Sequence, residues 1–199
     1  MVLSTSPTPA SVAYTAHERA MREASSTVDR QVLKRSEGDV AEYSPESVKL
    51  AYSLALRVKK CSGAALIVDY GGNAPSGAWT LRGIRKHEFV NPLSSPGDTD
   101  LSCDVDFASL AFAVVGSAGS GSEAKAVGPV TQGAFLQRMG IRERLERLLL
   151  ACGTSPEADK EKTRLISEAQ RLVDPNDMGN LYKVLAIVPK ELKTTVGFE

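Results

Sequence analysis

The strongest candidate for chemistry in this sequence is the acidic, glycine-rich end of one apolar segment. Five apolar residues run from Ala64 to Val68 and lead directly into Asp69, Tyr70 and Gly71. A carboxylate in this place can accept hydrogen bonds from a ligand or orient a cationic substrate group, and a glycine lets a ligand approach the backbone closely. The structural alternative is that Asp69 satisfies loop amides and Tyr70 packs in the core. The sequence leaves both interpretations open.

A second group of acids lies in the stretch Asp100 to Asp106. Their spacing is not that of a calcium-binding loop, and the glycine that such a loop needs at its turn is missing. Asp104 or Asp106 could instead cap the helix that begins near Phe107, because Asp is favoured immediately before a helix. The histidines and cysteines of the chain are also not at ligand spacing. The sequence therefore predicts no metal site.

The elements around the first site have the pattern of an α/β protein. Ser44, Pro45 and Glu46 are typical of a helix start, and apolar residues then recur at helical spacing until Gly63 can end the helix. The segment 64–72 predicts a strand that is buried on both faces of a parallel sheet. Ligands of open α/β sheets bind beyond the carboxyl ends of the strands. The acidic end of this strand is therefore the predicted ligand site.

The rest of the chain alternates predicted elements with loops. Residues 1–43 predict a flexible or variable segment, in which a short helix around 17–23 would bury little. The last ten residues predict a frayed end. Loops are predicted at 72–78, 91–99 and 117–123 from their glycine, proline and serine content. Extended pieces are predicted at 79–84, 88–90, 125–130 and 181–188, and helices at 107–116, 132–139, 141–149 and 156–173.

The composition argues against several functional classes. The chain has 24 basic and 24 acidic residues, and its formal net charge is zero, whereas a nucleic acid-binding domain usually carries a basic face. No apolar run approaches the roughly 18 residues that a membrane-spanning helix needs. The three cysteines are odd in number and widely spaced, which favours a reducing compartment over a disulfide framework. We therefore expect neither a nucleic acid partner nor a membrane span.

Five phrases between roughly Ser44 and Ile187 occur in an order that is specific to one family. They are YSPESVKLAYSLALRV, GAALIVDYG, TLRGIRKHEFVNPLSSPGDTDLSCDVDF, GPVTQGAFLQRMGIRERLERLL and MGNLYKVLAI. They resemble the C-terminal half of the MidA-type family of S-adenosyl-L-methionine-dependent methyltransferases. The mitochondrial members of that family assist complex I assembly by dimethylating an arginine of a core subunit.

The resemblance implies a fold, a cofactor and a substrate. The implied fold class is α/β, with residues 44–199 forming the C-terminal portion of a Rossmann-like methyltransferase sheet with additional helices, after the variable segment 1–43. The implied function is protein arginine methylation in mitochondria, with S-adenosyl-L-methionine as the cofactor and a complex I core subunit as the protein substrate. The implied cofactor-binding residues are Asp69, Tyr70 and Gly71, and the implied substrate-side residues are Arg82, Asp104 and Asp106.

The resemblance does not extend to the cofactor loop. In the family, a glycine-rich loop after the first strand and an Asn-Glu segment near the reaction centre lie upstream of the matched region, and neither is found in residues 1–43. We therefore expect a truncated chain that lacks the main cofactor loop, and we assign no catalytic acid or base. The first fifteen residues are only partly compatible with a mitochondrial presequence. The alternative function is a non-enzymatic interaction module, or an inactive remnant of the family, that docks a partner on the helices between Thr131 and Val173.

Overall fold

The computed structural model describes residues 6–24, 40–72, 78–116 and 123–199 of the chain. Residues 73–77 of the predicted loop 72–78, residues 117–122 of the predicted loop 117–123 and much of the predicted N-terminal segment lie outside these residues. The helices are α1 (Pro9–Ala24), α2 (Pro45–Cys61), α3 (Phe107–Gly116), α4 (Gln132–Arg138), α5 (Ile141–Ala151), α6 (Pro156–Val173) and α7 (Met178–Leu181). The strands are β1 (Ala65–Gly72), β2 (Arg82–Arg85), β3 (Glu88–Val90), β4 (Asp100–Ser102), β5 (Val105–Asp106), β6 (Ala124–Thr131) and β7 (Tyr182–Pro189).

Two sheets organise the described residues. The central sheet has the order β5-β1-β7-β6, in which β7 runs antiparallel to both β1 and β6. β5 runs parallel to β1 and pairs with it only at Gly71 and Gly72. β2, β3 and β4 form a separate antiparallel sheet in the order β3-β2-β4. The α/β fold class is confirmed, with a mixed central sheet.

β1 is less buried than its apolar sequence predicts. The side chains of Leu66 and Val68 are 52% and 47% exposed, whereas Ile67 packs against the core between the sheet and the helices α2 and α3. β1 also pairs antiparallel with β7 from Ala65 to Tyr70. The prediction of a strand buried on both faces in a parallel sheet is therefore wrong. Among the described residues, helices cover only one face of this strand.

Local capping signals place α2 as predicted. Ser44 precedes the helix, its side chain accepts a hydrogen bond from Ser47 N, and Pro45 is the first helical residue. The helix ends at Cys61, and the residue that follows it, Ser62, adopts the left-handed conformation with φ 51°, so the chain leaves the helix before Gly63. Ser44 supplies an acceptor for a backbone amide of the first turn, and Pro45 has no amide that needs one. The buried residues Ala51, Ala55 and Val58 pack the helix on the sheet.

The helix α1 is longer and better packed than the sequence predicts. Met21 is only 5% exposed. His17 Nε2 lies 3.1 Å from Ser109 Oγ of α3, and the His17 ring contacts the rings of Tyr43 and Phe112 at centroid distances of 5.0 and 5.5 Å. The expectation that a helix here would bury little is wrong because its partners lie in α3, far along the chain.

We expect the packing of α1 to weaken below about pH 6.5, the ordinary pKa of histidine. Burial lowers the pKa of His17, and the charge of Asp106 offsets part of this shift. The folded protein therefore holds the neutral imidazole, whereas the unfolded chain takes up a proton at the ordinary pKa. The contribution of His17 to the free energy of unfolding is therefore complete above that pH. It is lost as the pH falls through the lowered pKa of the folded state.

Hydrogen exchange of the α1 amides, corrected for intrinsic rates, measures this effect at about pH 5 and about pH 8. The variant His17→Phe is the control, because it keeps an aromatic ring against Tyr43 and Phe112 but does not titrate. Equal protection of α1 at both pH values in the unmodified chain would contradict the prediction.

The end of the chain packs on α4. The rings of Phe198 and Phe135 meet edge to face at a centroid distance of 5.4 Å, and Gly197 is buried. The prediction of a frayed end is therefore wrong, because α4 supplies an aromatic partner. Within the described ranges, no helix has the length and apolar character that crossing a membrane requires.

Candidate functional site

A cleft of about 760 Å³ opens at the carboxyl end of β1. Tyr70, Gly71 and Gly72 line its central part, the small sheet lines a second side, and the segment 177–183, which includes α7 and the start of β7, lines a third. The rings of Tyr70 and Tyr182 meet edge to face at 5.3 Å between centroids. The cleft therefore lies where the sequence predicts a ligand site, beyond the end of the first strand of the central sheet.

Arg82 of β2 is fixed on one side of this cleft. Its Nη1 donates to Asp104 Oδ1 at 2.8 Å and to the Thr80 carbonyl oxygen at 3.0 Å, and its guanidinium carbon lies 4.8 Å from the centre of the Tyr70 ring. Burial lowers the pKa of Arg82, but the hydrogen bond and charge of Asp104 outweigh burial and leave it raised. Arg82 is thus a fixed cation that presents its charge beside Tyr70.

Asp106 caps the helix α3 from within the cleft. Its Oδ1 accepts from Ser109 N at 3.2 Å, and its Oδ2 accepts from Ser109 Oγ at 2.6 Å. This is the capping role that the sequence assigns to Asp104 or Asp106. Asp104 instead forms the ion pair with Arg82. The two neighbouring acids therefore have different partners although both line the cleft.

Asp69 lies outside the cleft. Its Oδ1 accepts a hydrogen bond from Tyr70 N at 2.8 Å, as the structural alternative expects of it. Side chains alternate along a strand, so Asp69 shares a face with Ile67 while Tyr70 points to the other face. The roles proposed for all six predicted site residues remain predictions. The predicted residues that line the cleft are Tyr70, Gly71, Arg82, Asp104 and Asp106.

Glu42 is a cleft residue that the sequence analysis missed. Its Oε1 accepts from Thr80 N at 3.0 Å and from Leu81 N at 2.8 Å, and its Oε2 accepts from Thr80 Oγ1. Thr80 Oγ1 in turn accepts from Asp104 N at 2.9 Å. Glu42 therefore holds the segment that leads into β2 and, through Thr80, the residue that pairs with Arg82. No local pattern could have identified it, since its partners lie 38 and 39 residues away.

We expect Glu42→Ala to loosen the small sheet. The substitution leaves Thr80 N and Leu81 N without their acceptor, and hydrogen bonds to charged groups contribute about 1.5 to 3 kcal/mol. Trp79, the single tryptophan of the chain, precedes Thr80, so its emission reports on this segment. The free energy of unfolding should fall by about 2 kcal/mol in a denaturant titration followed by Trp79 fluorescence.

Glu46→Ala is the matched control, because the side chain of Glu46 is 81% exposed and, within the described residues, bonds only to Lys49 in the adjacent turn. The free energy of unfolding of this control should change by no more than about 0.5 kcal/mol. A Glu42→Ala protein with the emission spectrum and midpoint of the control would contradict the role assigned to Glu42.

Arg171 and Asp177 also line the cleft and were not predicted. Arg171 Nε lies 3.8 Å from Asp177 Oδ2, and the Asp177 side chain is 47% exposed. This distance is longer than that of a charge-assisted hydrogen bond. Asp177 is therefore held more loosely than Asp104 and Asp106, and its carboxylate is the most available of the three for a cationic ligand.

The titratable groups limit the chemistry of this region. Burial raises the pKa of the Cys103 thiol, and the charge of Glu42 adds to this effect, so Cys103 is not an activated thiolate nucleophile. In the part of the chain that the structure describes, no group of three or more His, Cys, Asp or Glu side chains is arranged to hold a metal ion. Carboxylates beside tyrosine rings are suited to binding a guanidinium or another organic cation.

Comparisons with known proteins agree with these features. Residues 3–124 match the model of a family described as "Putative S-adenosyl-L-methionine-dependent methyltransferase". The chain is 36% identical over 159 residues to the mitochondrial protein arginine methyltransferase NDUFAF7 of Xenopus laevis. The aligned region covers 79% of this chain and 34% of that protein. It is also 38% identical over 149 residues to the Drosophila melanogaster homologue, and this aligned region covers 74% of this chain and 32% of that protein. The chain thus spans about a third of the length of these relatives.

Two solved structures share the fold. One is an uncharacterized protein from Burkholderia thailandensis, with a TM-score of 0.62 and 23% identity over 81% of this chain and 43% of that one. The other, from the same organism and superfamily, was solved bound to S-adenosyl-homocysteine, with a TM-score of 0.56 and 24% identity over 76% of this chain and 36% of that one. The family that the sequence resembles is confirmed by the family model, which matches more than half of the residues. The chain belongs to this family of S-adenosyl-L-methionine-dependent methyltransferases.

Proposed function

We propose that this chain forms the substrate side of a protein arginine methyltransferase that acts in mitochondria in the assembly of respiratory complex I. The observation that carries the proposal is the cleft at the end of β1, where four carboxylates and two tyrosine rings, together with Arg82, Arg171 and Lys183, line a space of about 760 Å³. This is the environment that a guanidinium needs. The arginine methyltransferase names of the relatives support the same substrate class.

The carboxylates of the cleft orient the substrate in this proposal. Asp104 and Asp106 are held by Arg82 and Ser109. Arg82 offsets the charge of Asp104, so Asp106 is the one of the two that contributes fixed negative charge near the guanidinium. Asp177 is the carboxylate that bonds to the substrate directly, displacing the loose contact with Arg171. Holding the guanidinium in one orientation lowers the entropic part of the barrier to transfer. Tyr70 and Tyr182 form an apolar wall that limits access of water to the same place.

S-adenosyl-L-methionine, when bound, supplies an electrophilic methyl group. The residues of this chain fit one side of such a cofactor, because Gly71 and Gly72 at the end of β1 line the cleft without side chains of their own. Glycine-rich loops contribute much of the binding in nucleotide-type sites, and residues 1–43 contain no such loop. We therefore propose that this chain alone binds the cofactor weakly or not at all, and that the main contacts come from sequence outside it.

Calorimetric titration of the purified chain tests both sides of this proposal, after circular dichroism has shown that the chain is folded. A short peptide with a central arginine should bind, and the same peptide with norleucine in that place should not. Asp177→Asn should weaken arginine-peptide binding by about tenfold, whereas Asp159→Asn, a substitution of a 73% exposed carboxylate on α6, should not change it. No binding of the arginine peptide would overturn the substrate role, and a micromolar dissociation constant for the cofactor would overturn the incomplete cofactor site.

A second function, a non-enzymatic interaction module, is favoured by the surface of α5. No residue of this helix is buried, and Leu150 is 85% exposed. Leu148 of the same helix is also 45% exposed, and larger exposed apolar patches mark protein–protein interaction sites. The two functions are separated by radiolabelled methyl transfer to an arginine peptide, measured with the chain mixed with the part of the Xenopus laevis relative outside the match. Transfer by this mixture, but not by the relative's part alone, supports the enzyme, and its absence supports the interaction module. Cell fractionation tests the proposed mitochondrial location.

A further inference from the structure

Two large apolar side chains of the cleft at the end of β1 are exposed to solvent. Phe89 of β3 is 78% exposed and Leu181 of α7 is 61% exposed, and both line the cleft. They belong to two different sides of it, the small sheet and the segment 177–183. Single exposed apolar residues are common on protein surfaces, but apolar side chains around one concave space that also holds polar groups are typical of a binding site. Contact with these two side chains would stabilise a ligand that carries apolar groups.

Phe89 belongs to a wall of side chains that share one face of the small sheet. Phe89 of β3 is paired with Ile84 of β2, so the two side chains lie on the same face. Arg82 lies two residues before Ile84 on β2 and therefore projects from that face as well. All three residues line the cleft. This wall therefore places an apolar pair beside the cation that is fixed to Asp104.

Leu181 belongs to a second apolar wall, on α7. Met178 and Leu181 are three residues apart in this helix, so they lie on the same side of it, and both line the cleft. Asp177, which bonds to the guanidinium in the proposed function, comes immediately before Met178. An apolar side chain next to the arginine of a bound peptide is therefore within reach of this wall.

The charges of the cleft suit one cation rather than several. Four carboxylates and three basic groups line it, which leaves an excess of one negative charge. The basic groups have partners in the structure: Arg82 pairs with Asp104, Arg171 lies near Asp177, and Lys183 donates to a backbone carbonyl oxygen. A single guanidinium balances the cleft, whereas a second cation beside it would lack a carboxylate of its own.

We propose that the cleft selects an arginine whose two neighbours in the substrate are apolar. This inference rests on the proposed function, because the carboxylates of the cleft receive the arginine there. Phe89 contacts the neighbour on one side and Leu181 contacts the neighbour on the other, with the guanidinium between them at Asp177. The occupant is a segment of a protein substrate that carries one arginine between apolar side chains.

Calorimetric titration of the 199-residue chain with capped pentapeptides tests the proposal. The peptides have a central arginine and differ only in the two residues beside it. We expect the peptide with leucine at both places to bind at least about tenfold more tightly than the peptide with serine at both, because two leucine side chains leave water. The peptide with lysine at both places should bind no more tightly than the serine peptide.

The variants Phe89→Ser and Leu181→Ser assign the two places. Each substitution should remove the leucine preference on one side of the arginine only, which peptides with a single leucine before or after the arginine resolve. Affinity for the serine peptide should stay within about twofold, whereas a merely structural defect would weaken all the peptides together. Leu93→Ser is the matched control and should change no affinity. Leu93 is 85% exposed in the loop after β3 but is not among the described residues that line the cleft.

The possible results separate this inference from the proposed function. Equal affinity for the leucine and serine peptides would overturn the inference and leave the arginine site intact, and so would a preference that persists in both variants or a lysine peptide that binds as tightly as the leucine peptide. A leucine preference that survives with norleucine in place of arginine, and that Phe89→Ser removes, would support the apolar walls and overturn the arginine site. No binding of any peptide would overturn both.

A second copy of the chain is the competing occupant of the apolar walls. Light scattering of the free chain measures it directly. A monomeric mass is expected, whereas a dimer that dissociates on Phe89→Ser but not on Leu93→Ser would assign these walls to self-association and overturn the inference.

Discussion

Replacing Gly71 by alanine should separate β5 from β1 and lower the free energy of unfolding by about 3 kcal/mol. A β-carbon on Gly71 would lie 2.7 Å from Val105 N and closer still to Val105 O. Both atoms belong to the backbone of β5, which cannot move aside by changing a rotamer. The strand must therefore shift as a whole, and Asp106, which follows Val105, moves with it. Urea denaturation followed by circular dichroism measures the loss of stability.

The variant Gly63→Ala is the control for this substitution. No atom lies within 4 Å of the position that its β-carbon would occupy, so the unfolding midpoint should remain close to that of the unmodified chain. Because the clash at Gly71 lies in the cleft, Gly71→Ala should also abolish binding of the arginine peptide, whereas Gly63→Ala should not. A Gly71→Ala protein that keeps both its midpoint and its peptide binding would show that β5 does not approach β1 as closely as the structure has it.

Local signals in the sequence were sufficient for many of the elements. Ser44, Thr131 and Ser155 each precede a helix, and the side chain of each accepts a hydrogen bond from a backbone amide in the first turn. These bonds join residues only three apart, so residue type and spacing alone predict them. The predicted helix 107–116 coincides with α3 for the same reason, because Asp106 caps it.

The features that the sequence did not predict depend on residues far apart in the chain. The packing of α1 rests on the contact between His17 and Ser109, which are 92 residues apart. The exposure of Leu66 and Val68 depends on what covers a sheet face, and an apolar run carries no information about that. The role of Glu42 could not be predicted for the same reason, because its partners Thr80 and Leu81 lie far from it in the chain. The position of the cleft was predictable because it follows from the end of one strand, whereas most of its outer residues were not.

Phe107→Ala should cause the largest loss of stability of any substitution considered, about 3 to 5 kcal/mol. The Phe107 side chain is 0% exposed and packs with Ala51 of α2, Leu110 of α3 and Leu185 of β7. Its removal leaves a cavity where both helices meet the sheet, and these neighbours cannot all move in to fill it. The loss should appear as a lower midpoint in urea denaturation with an unchanged slope.

The exposed Phe89 of β3 provides a control of the same residue type. Phe89 is 78% exposed, so Phe89→Ala should change the free energy of unfolding by less than about 0.5 kcal/mol. Phe89 also lines the cleft, so any effect of its removal should appear in peptide binding instead. Equal destabilisation by the two substitutions would mean that α3 does not pack on the sheet through Phe107. The opposite pattern, a large loss at Phe107 alone, would show that the helices and β7 form a core of their own.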